Sequence, residues 1–126
     1  MSLTIKIPLR PNISEEEKLL EFLLKVFPCF FFAGKALGLT IHEVSRRENE
    51  DGIILTYEGM FKYVKARDIM TPLTIVINIR RGASCLDMKM TLNFKKSKPG
   101  RKELIALVSD LRHIILEYMD WKEKCK

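Results

Sequence analysis

The side chains best equipped for chemistry in this sequence are two histidines, three cysteines and a strand-borne glutamate, Glu58. His42 and His113 fall on a predicted strand and on the polar side of a predicted helix. Neither has a cysteine or a second histidine at metal-ligand spacing. Cys29, Cys85 and Cys125 are far apart, odd in number and without a CxxC pair, which argues against zinc or dithiol chemistry. Cys29 and Cys85 lie among apolar residues and read as small hydrophobes. Gly34-Lys35 lacks the upstream glycines and following Ser/Thr of a phosphate loop. Neither G-x-S-x-G nor H-E-x-x-H occurs. No metal, cofactor or catalytic set is assigned, and an enzymatic role is not expected.

Glu58 is the acid whose role turns on strand register. In Thr56-Tyr57-Glu58-Gly59-Met60-Phe61, parity groups Tyr57, Gly59, Phe61 and Tyr63 with Ile53 and Leu55. Glu58 falls on the opposite face with Thr56 and Lys62, joined by Lys65 if the strand shifts register at Gly59, and a cross-strand ion pair is its expected role. A parity-reversing bulge at Gly59 would turn it inward.

Two constellations point to binding instead. Lys95, Lys96, Lys98, Arg101 and Lys102 put five cations into eight residues, a run that can attract phosphates. Beside them, however, the polar face of Lys89, Thr91, Asn93 and Lys95 offers no aromatic platform for stacking bases. The second constellation is apolar. Phe31, Tyr57, Phe61, Tyr63, Met88, Met90, Leu111, Ile115 and Met119 converge, by strand parity or helix phase, on one interior. Methionine and aromatic groups line apolar ligand cavities, and the two tyrosines bring hydroxyls that require partners when buried. The same residues also suit a filled core.

The elements that would position these groups follow from periodicity. Leu3, Ile5, Ile7 and Leu9 alternate as a first strand, with Pro8 and Pro11 placing it near an edge or a strand end. Ser14-Glu15-Glu16-Glu17 matches a capping box opening a helix to Phe27, with Leu19, Leu20, Phe22, Leu23, Val26 and Phe27 on its apolar face. Pro28 stops or kinks it, and residues 27–38 read as a short second helix or an apolar connector. A strand from Leu39 to Arg46, a turn at Asn49-Glu50-Asp51-Gly52 and a strand from Ile53 to Arg67 come next. That last run is long, so Gly59 is expected to mark a bulge, a bend or a break. Asp68 to Pro72 turns the chain into a final hairpin. Leu73, Ile75, Ile77 and Ile79 form one apolar row, and Leu86, Met88, Met90, Leu92 and Phe94 form the other, across the turn Arg81-Gly82-Ala83-Ser84. Leu104, Leu107, Val108, Leu111, Ile114, Ile115, Tyr118, Met119 and Trp121 then share a helical arc of roughly 160°. Arg112, His113, Glu117 and Asp120 lie outside that arc.

These elements make an α+β chain of β-α-α-β(4-5)-α order, a single domain over 1–126 with a curved antiparallel sheet and a long C-terminal helix. At 126 residues with 47% hydrophobic content, the chain can bury one core. A net charge of +6 favours anionic partners. The most hydrophobic stretch, Val26 to Leu39, carries Lys35 and is too short to span a bilayer. No signal peptide is read at the start, so a cytoplasmic location is expected. Absence of glutamine with abundant Lys, Glu and Ile leans toward a thermophilic source.

In element order, in the Phe27-Pro28 break, in the bent strand Ile53 to Arg67 and in the Leu104 to Trp121 helix, the chain resembles the helix-grip superfamily. That group comprises the START and Bet v 1-like domains, and the chain is similar to small archaeal START-like proteins. The resemblance covers the whole chain but carries no diagnostic motif, and five strands fall short of the six or seven usual there. It implies non-catalytic binding of a hydrophobic small molecule or lipid between the sheet and the last helix, by a monomer or homodimer. Alternatives are a basic adaptor for RNA or an acidic protein partner, using Lys95, Lys96, Lys98, Arg101 and Lys102, and a dimeric chaperone-like protein.

Overall fold

Alternation of apolar and polar residues builds the sheet, and register decides which side of it is dry. The computed structural model describes residues 2–7, 10–27, 39–62, 70–95 and 101–125, with the side chains of 62, 70, 103 and 117–125 excepted. Five strands form one open antiparallel sheet: β1 (Ser2–Ile7), β2 (Leu39–Glu48), β3 (Gly52–Lys62), β4 (Met70–Arg81) and β5 (Leu86–Phe94). Their order is β1-β5-β4-β3-β2, so β2 to β5 are a meander and β1 returns to lie beside β5. Two helices accompany the sheet among the described residues: α1 (Glu16–Glu21) and α2 (Arg101–Cys125). The protein is therefore an α+β fold of the expected class.

The expected parity holds across the hairpin. Leu73, Ile75, Ile77 and Ile79 on β4 are buried, as are Leu86, Met88, Met90, Leu92 and Phe94 on β5. On the helix-facing side they join Ile53, Leu55, Tyr57 and Phe61 of β3 in one core cluster. Leu107, Leu111 and Ile115 of α2 enter the same cluster, fully buried at four-residue spacing. Each contributes roughly 2 kcal/mol through removal of its side chain from water.

Gly59 does not break β3, which runs without interruption from Gly52 to Lys62. The irregularity lies on the neighbouring strand, where the β2–β3 register slips between Ile41 and Glu43 and leaves His42 as the extra residue. A Cβ on Gly59 would sit 2.2 Å from the Thr40 carbonyl oxygen, so the glycine marks close approach of the bulged backbone. Gly52 is equally constrained, since a Cβ there would sit 1.9 Å from the Ile79 carbonyl oxygen. The Asn49–Gly52 turn forms as read, with Asn49 Oδ1 accepting from the Asp51 and Gly52 amides at 3.0 and 2.9 Å. Pro72 lies within β4 rather than in the turn before it. Its carbonyl accepts from the Lys95 amide beyond the end of β5, so its missing N–H faces the same side and interrupts no β3 bond.

The α1 region departs from the expected single helix. A 3₁₀ turn (Ile13–Glu15) leads into α1, and a π-helical turn (Phe22–Val26) follows it. The cap is Asn12, whose Oδ1 accepts from the Ser14 amide at 3.0 Å. The Ser14 hydroxyl donates to the same oxygen, so the capping box read at Ser14 is displaced two residues upstream. In the π turn the Phe27 amide reaches the Phe22 carbonyl at 2.8 Å. The extra residue rotates Phe27 into the core and Val26 out of it, leaving Val26 45% exposed where an apolar-face position was expected. The short second helix read over 27–38 and the strand extension over 63–67 lie outside the described residues.

Candidate functional site

Polar chemistry is dispersed over the molecule. His42 sits exposed at the β2 bulge and His113 exposed on α2. Cys85, a free thiol, is half-buried in an isolated bridge to Asn12. Cys29 and the side chain of Cys125 lie outside the described residues. No group of three or more His, Cys, Asp or Glu side chains capable of holding a metal occurs among the described residues. The Lys62 side chain lies outside the described residues. Glu58 lies on the outer face, as parity requires, and it pairs across the sheet with Lys95. Its Oε2 accepts from Thr74 Oγ1 at 2.8 Å and stands 3.5 Å from Lys95 Nζ. That neutralises an acid which the register sets directly opposite Glu43.

One charged cluster escaped the sequence reading. Arg81, the last inward-parity residue of β4, donates from Nε to Glu16 Oε1 at 2.6 Å and from one terminal nitrogen to Glu48 Oε1 at 2.8 Å. Arg46 donates in turn to Glu48 Oε2 at 3.3 Å. Its hydrogen bond to Glu16, then that to Glu48, raises the Arg81 guanidinium above its ordinary value. The Arg81 bond holds the Glu48 carboxyl below the usual range. With each acid committed to a guanidinium, the cluster clamps α1 and the end of β2 to the sheet. It leaves no free base for proton transfer.

The expected apolar constellation comes together where it is described. Tyr57, Phe61, Met88, Met90, Leu111 and Ile115 all lie in the core cluster, almost without exposure. Phe31 and Tyr63 fall outside the described residues, as does the Met119 side chain. Phe27 meets Tyr57 edge-on at 5.4 Å, and Phe61 meets Phe94 likewise at 6.4 Å. The Tyr57 hydroxyl donates to the Leu23 carbonyl at 2.6 Å, and burial pushes the phenol far above its ordinary pKa. The π turn creates that acceptor. In an α-helix the Phe27 amide would take the Leu23 carbonyl, but here it goes to Phe22, and the next residue, Pro28, has no N–H to offer. Tyr57 is thus a satisfied structural hydroxyl.

Open space lies to one side of this core. Between β1 and α2 runs a groove of about 580 Å³ lined by Leu3, Leu104, Ile105, Val108, Ser109 and Leu116, with Arg101, Arg112 and His113 among the lining residues. Helix phase explains it. With Leu107, Leu111 and Ile115 directed into the core, Ile105, Arg112 and Leu116 turn roughly 100–140° away, onto the flank of α2 that faces β1. Ile105 remains 59% exposed. Arg101 was read as part of a phosphate-binding run, and Arg112 and His113 as solvent-facing. The signal that could have singled out this flank is Ile105 itself, an apolar residue outside the core arc. Of the remaining basic run, Lys95 pairs with Glu58, Lys102 is exposed in the first turn of α2, and Lys96 and Lys98 lie outside the described residues.

No family model matches the chain, and the searches of curated proteins and of solved structures each return no match.

Proposed function

We propose that the protein binds an amphipathic small molecule of the fatty-acid or lipid class, without transforming it. The apolar part would lie along Leu104, Ile105 and Val108, and the anionic head would meet Arg101 and Arg112. The observation that carries this reading is the apolar groove between β1 and α2 with cations in its lining. In this reading the element order is that of a helix-grip domain, α2 is the gripping helix, and the ligand lies beside the grip rather than inside it. Tyr57, Phe61, Met88, Met90, Leu111 and Ile115 then belong to the packed core under the grip and do not line the groove. Each ligand methylene buried adds roughly 0.8 kcal/mol, so a chain of several carbons suffices for measurable affinity.

Native mass spectrometry of detergent-free protein, with and without added long-chain fatty acid, tests the reading. A bound adduct is expected, lost in Val108→Asp and weakened about threefold to fivefold in Arg112→Ala, as for a charge contact at an open rim. No adduct from any chain length overturns it. The RNA reading has less to stand on, because the outer sheet face shows no Phe, Tyr or Trp among its described residues, and its one aromatic ring is His42 at the edge-strand bulge.

A further inference from the structure

We infer that two copies of this chain pair through β1, antiparallel about Thr4, and that the partner's β1 and α2 close the open flank of the groove. The closure rests on the ligand reading above; the pairing stands independently of it.

The two edges of the sheet are built differently. On β2 the bulge at His42 disturbs the backbone, and Glu43, Arg46, Arg47 and Glu48 crowd the strand with charge. Both are devices that discourage pairing with another chain. β1 has neither. Its six residues pair with β5 in unbroken register, and Lys6 is its only charged residue. Because β1 has a single neighbour in the sheet among the described residues, half of its backbone N–H and C=O groups point outward, away from β5.

Side-chain parity and charge select the register of self-pairing. Partners across an antiparallel pair share a face, so only residues of equal parity oppose one another. Centring on Thr4 sets Leu3 against the partner's Ile5 on the helix side and Ser2 against its Lys6 on the outer side. Leu3 and Ile5 are both half-buried, so each has apolar surface left to cover. Centring on Lys6 would oppose two lysines. Centring on Ile5 would use Ile7, which has no surface left to bury. Only the first arrangement sets polar against cation while every apolar residue it opposes has surface left to cover. Ile105 and the open side of the groove lie beside this edge, where the partner's helix arrives.

Sedimentation equilibrium over a concentration series tests the register. Ser2→Glu brings two new opposite-charge pairs with Lys6 across the axis and tightens the dimer several-fold. Ser2→Lys with Thr4→Lys creates three like-charge pairs on an exposed face and weakens it on the order of a hundredfold. A monomeric wild type, or a dimer indifferent to both variants, overturns the pairing. Long-chain fatty-acid uptake is measured on the same proteins. Uptake that falls with pairing supports closure, and uptake unchanged in the doubly substituted monomer overturns closure. If pairing responds as stated while no protein takes up fatty acid, the ligand reading fails and the pairing remains.

Discussion

The β2 edge is locked to the rest of the molecule by directional contacts, whereas the β1 edge is held by regular strand pairing and apolar burial. On the β2 side, Gly59 admits a bulged neighbour, Arg81 ties Glu48 to Glu16, and Tyr57 on the adjoining strand fastens the end of the π turn. On the β1 side, Leu3 and Ile5 keep part of their surface, and the flank of α2 above them carries an exposed isoleucine. A sheet of this size has to end somewhere, and it ends in two ways. One edge uses irregular backbone and charge to refuse partners, and the other retains regular backbone and apolar surface.

The largest effect is expected where the guarded edge depends on a missing side chain. Gly59→Ala forces a Cβ into the Thr40 carbonyl, a backbone atom that cannot swing aside. The bulge must shift or β2 must detach, at a cost of about 3 kcal/mol and roughly 10 °C in Tm. Thermal unfolding by circular dichroism checks this. A loss under about 1 kcal/mol would mean that the bulge at His42 relaxes easily and that the edge is less rigid than described.

Next in size is Tyr57→Phe, which keeps the ring and its Phe27 contact but leaves the Leu23 carbonyl buried without a donor. A loss of about 1–3 kcal/mol is expected in urea unfolding, with an unchanged m-value. The variant separates the directional tie from the packing around it. If it is neutral, the π turn has rewound to α and returned the Phe27 amide to Leu23.

How far these features could be read in the sequence depended on whether they are local. Strand alternation from Leu73 to Phe94 is a property of consecutive residues, and burial follows it almost position by position. Helix phase likewise identified Leu107, Leu111 and Ile115. Gly59 was legible as an anomaly but not as to its cause, because the extra residue lies on the strand beside it. Asn12 and Ser14 both have capping side chains, and only the backbone geometry at residue 12 decides between them. The Arg81 clamp joins residues 16, 48 and 81, which no local pattern relates. The groove was hidden for a related reason. Helix phase gathers residues onto one apolar face, and Ile105 belongs to a second, narrower one whose meaning depends on β1 lying next to it.

That second face gives a prediction with little effect on stability and a large one on binding. Ile105→Asp changes an exposed position and should alter stability by no more than about 0.5 kcal/mol. It should nevertheless abolish fatty-acid uptake, because the charge sits on the groove lining. Val26→Asp, at the other exposed apolar site, is the control and should leave uptake intact. Equal loss in both would point to a general surface effect and blur the distinction between the two sides.

The smallest expected effect is electrostatic and belongs to the guarded edge. In the folded protein, hydrogen bonding from Arg81 lowers the Glu48 pKa below its unfolded value. The stability gained from Glu48 is then fully present above the ordinary carboxylate range and is lost as pH falls through the depressed folded value. Glu48→Gln should lower Tm slightly at neutral pH, and the difference from wild type should vanish in acid once both side chains are uncharged. High salt should shrink the neutral-pH difference as well, since Glu48 is half exposed. A gap that persisted at low pH would assign the clamp's contribution to hydrogen-bond geometry alone. The β2 edge would then be held by shape, as Gly59 holds it, and charge would serve only to keep other strands away.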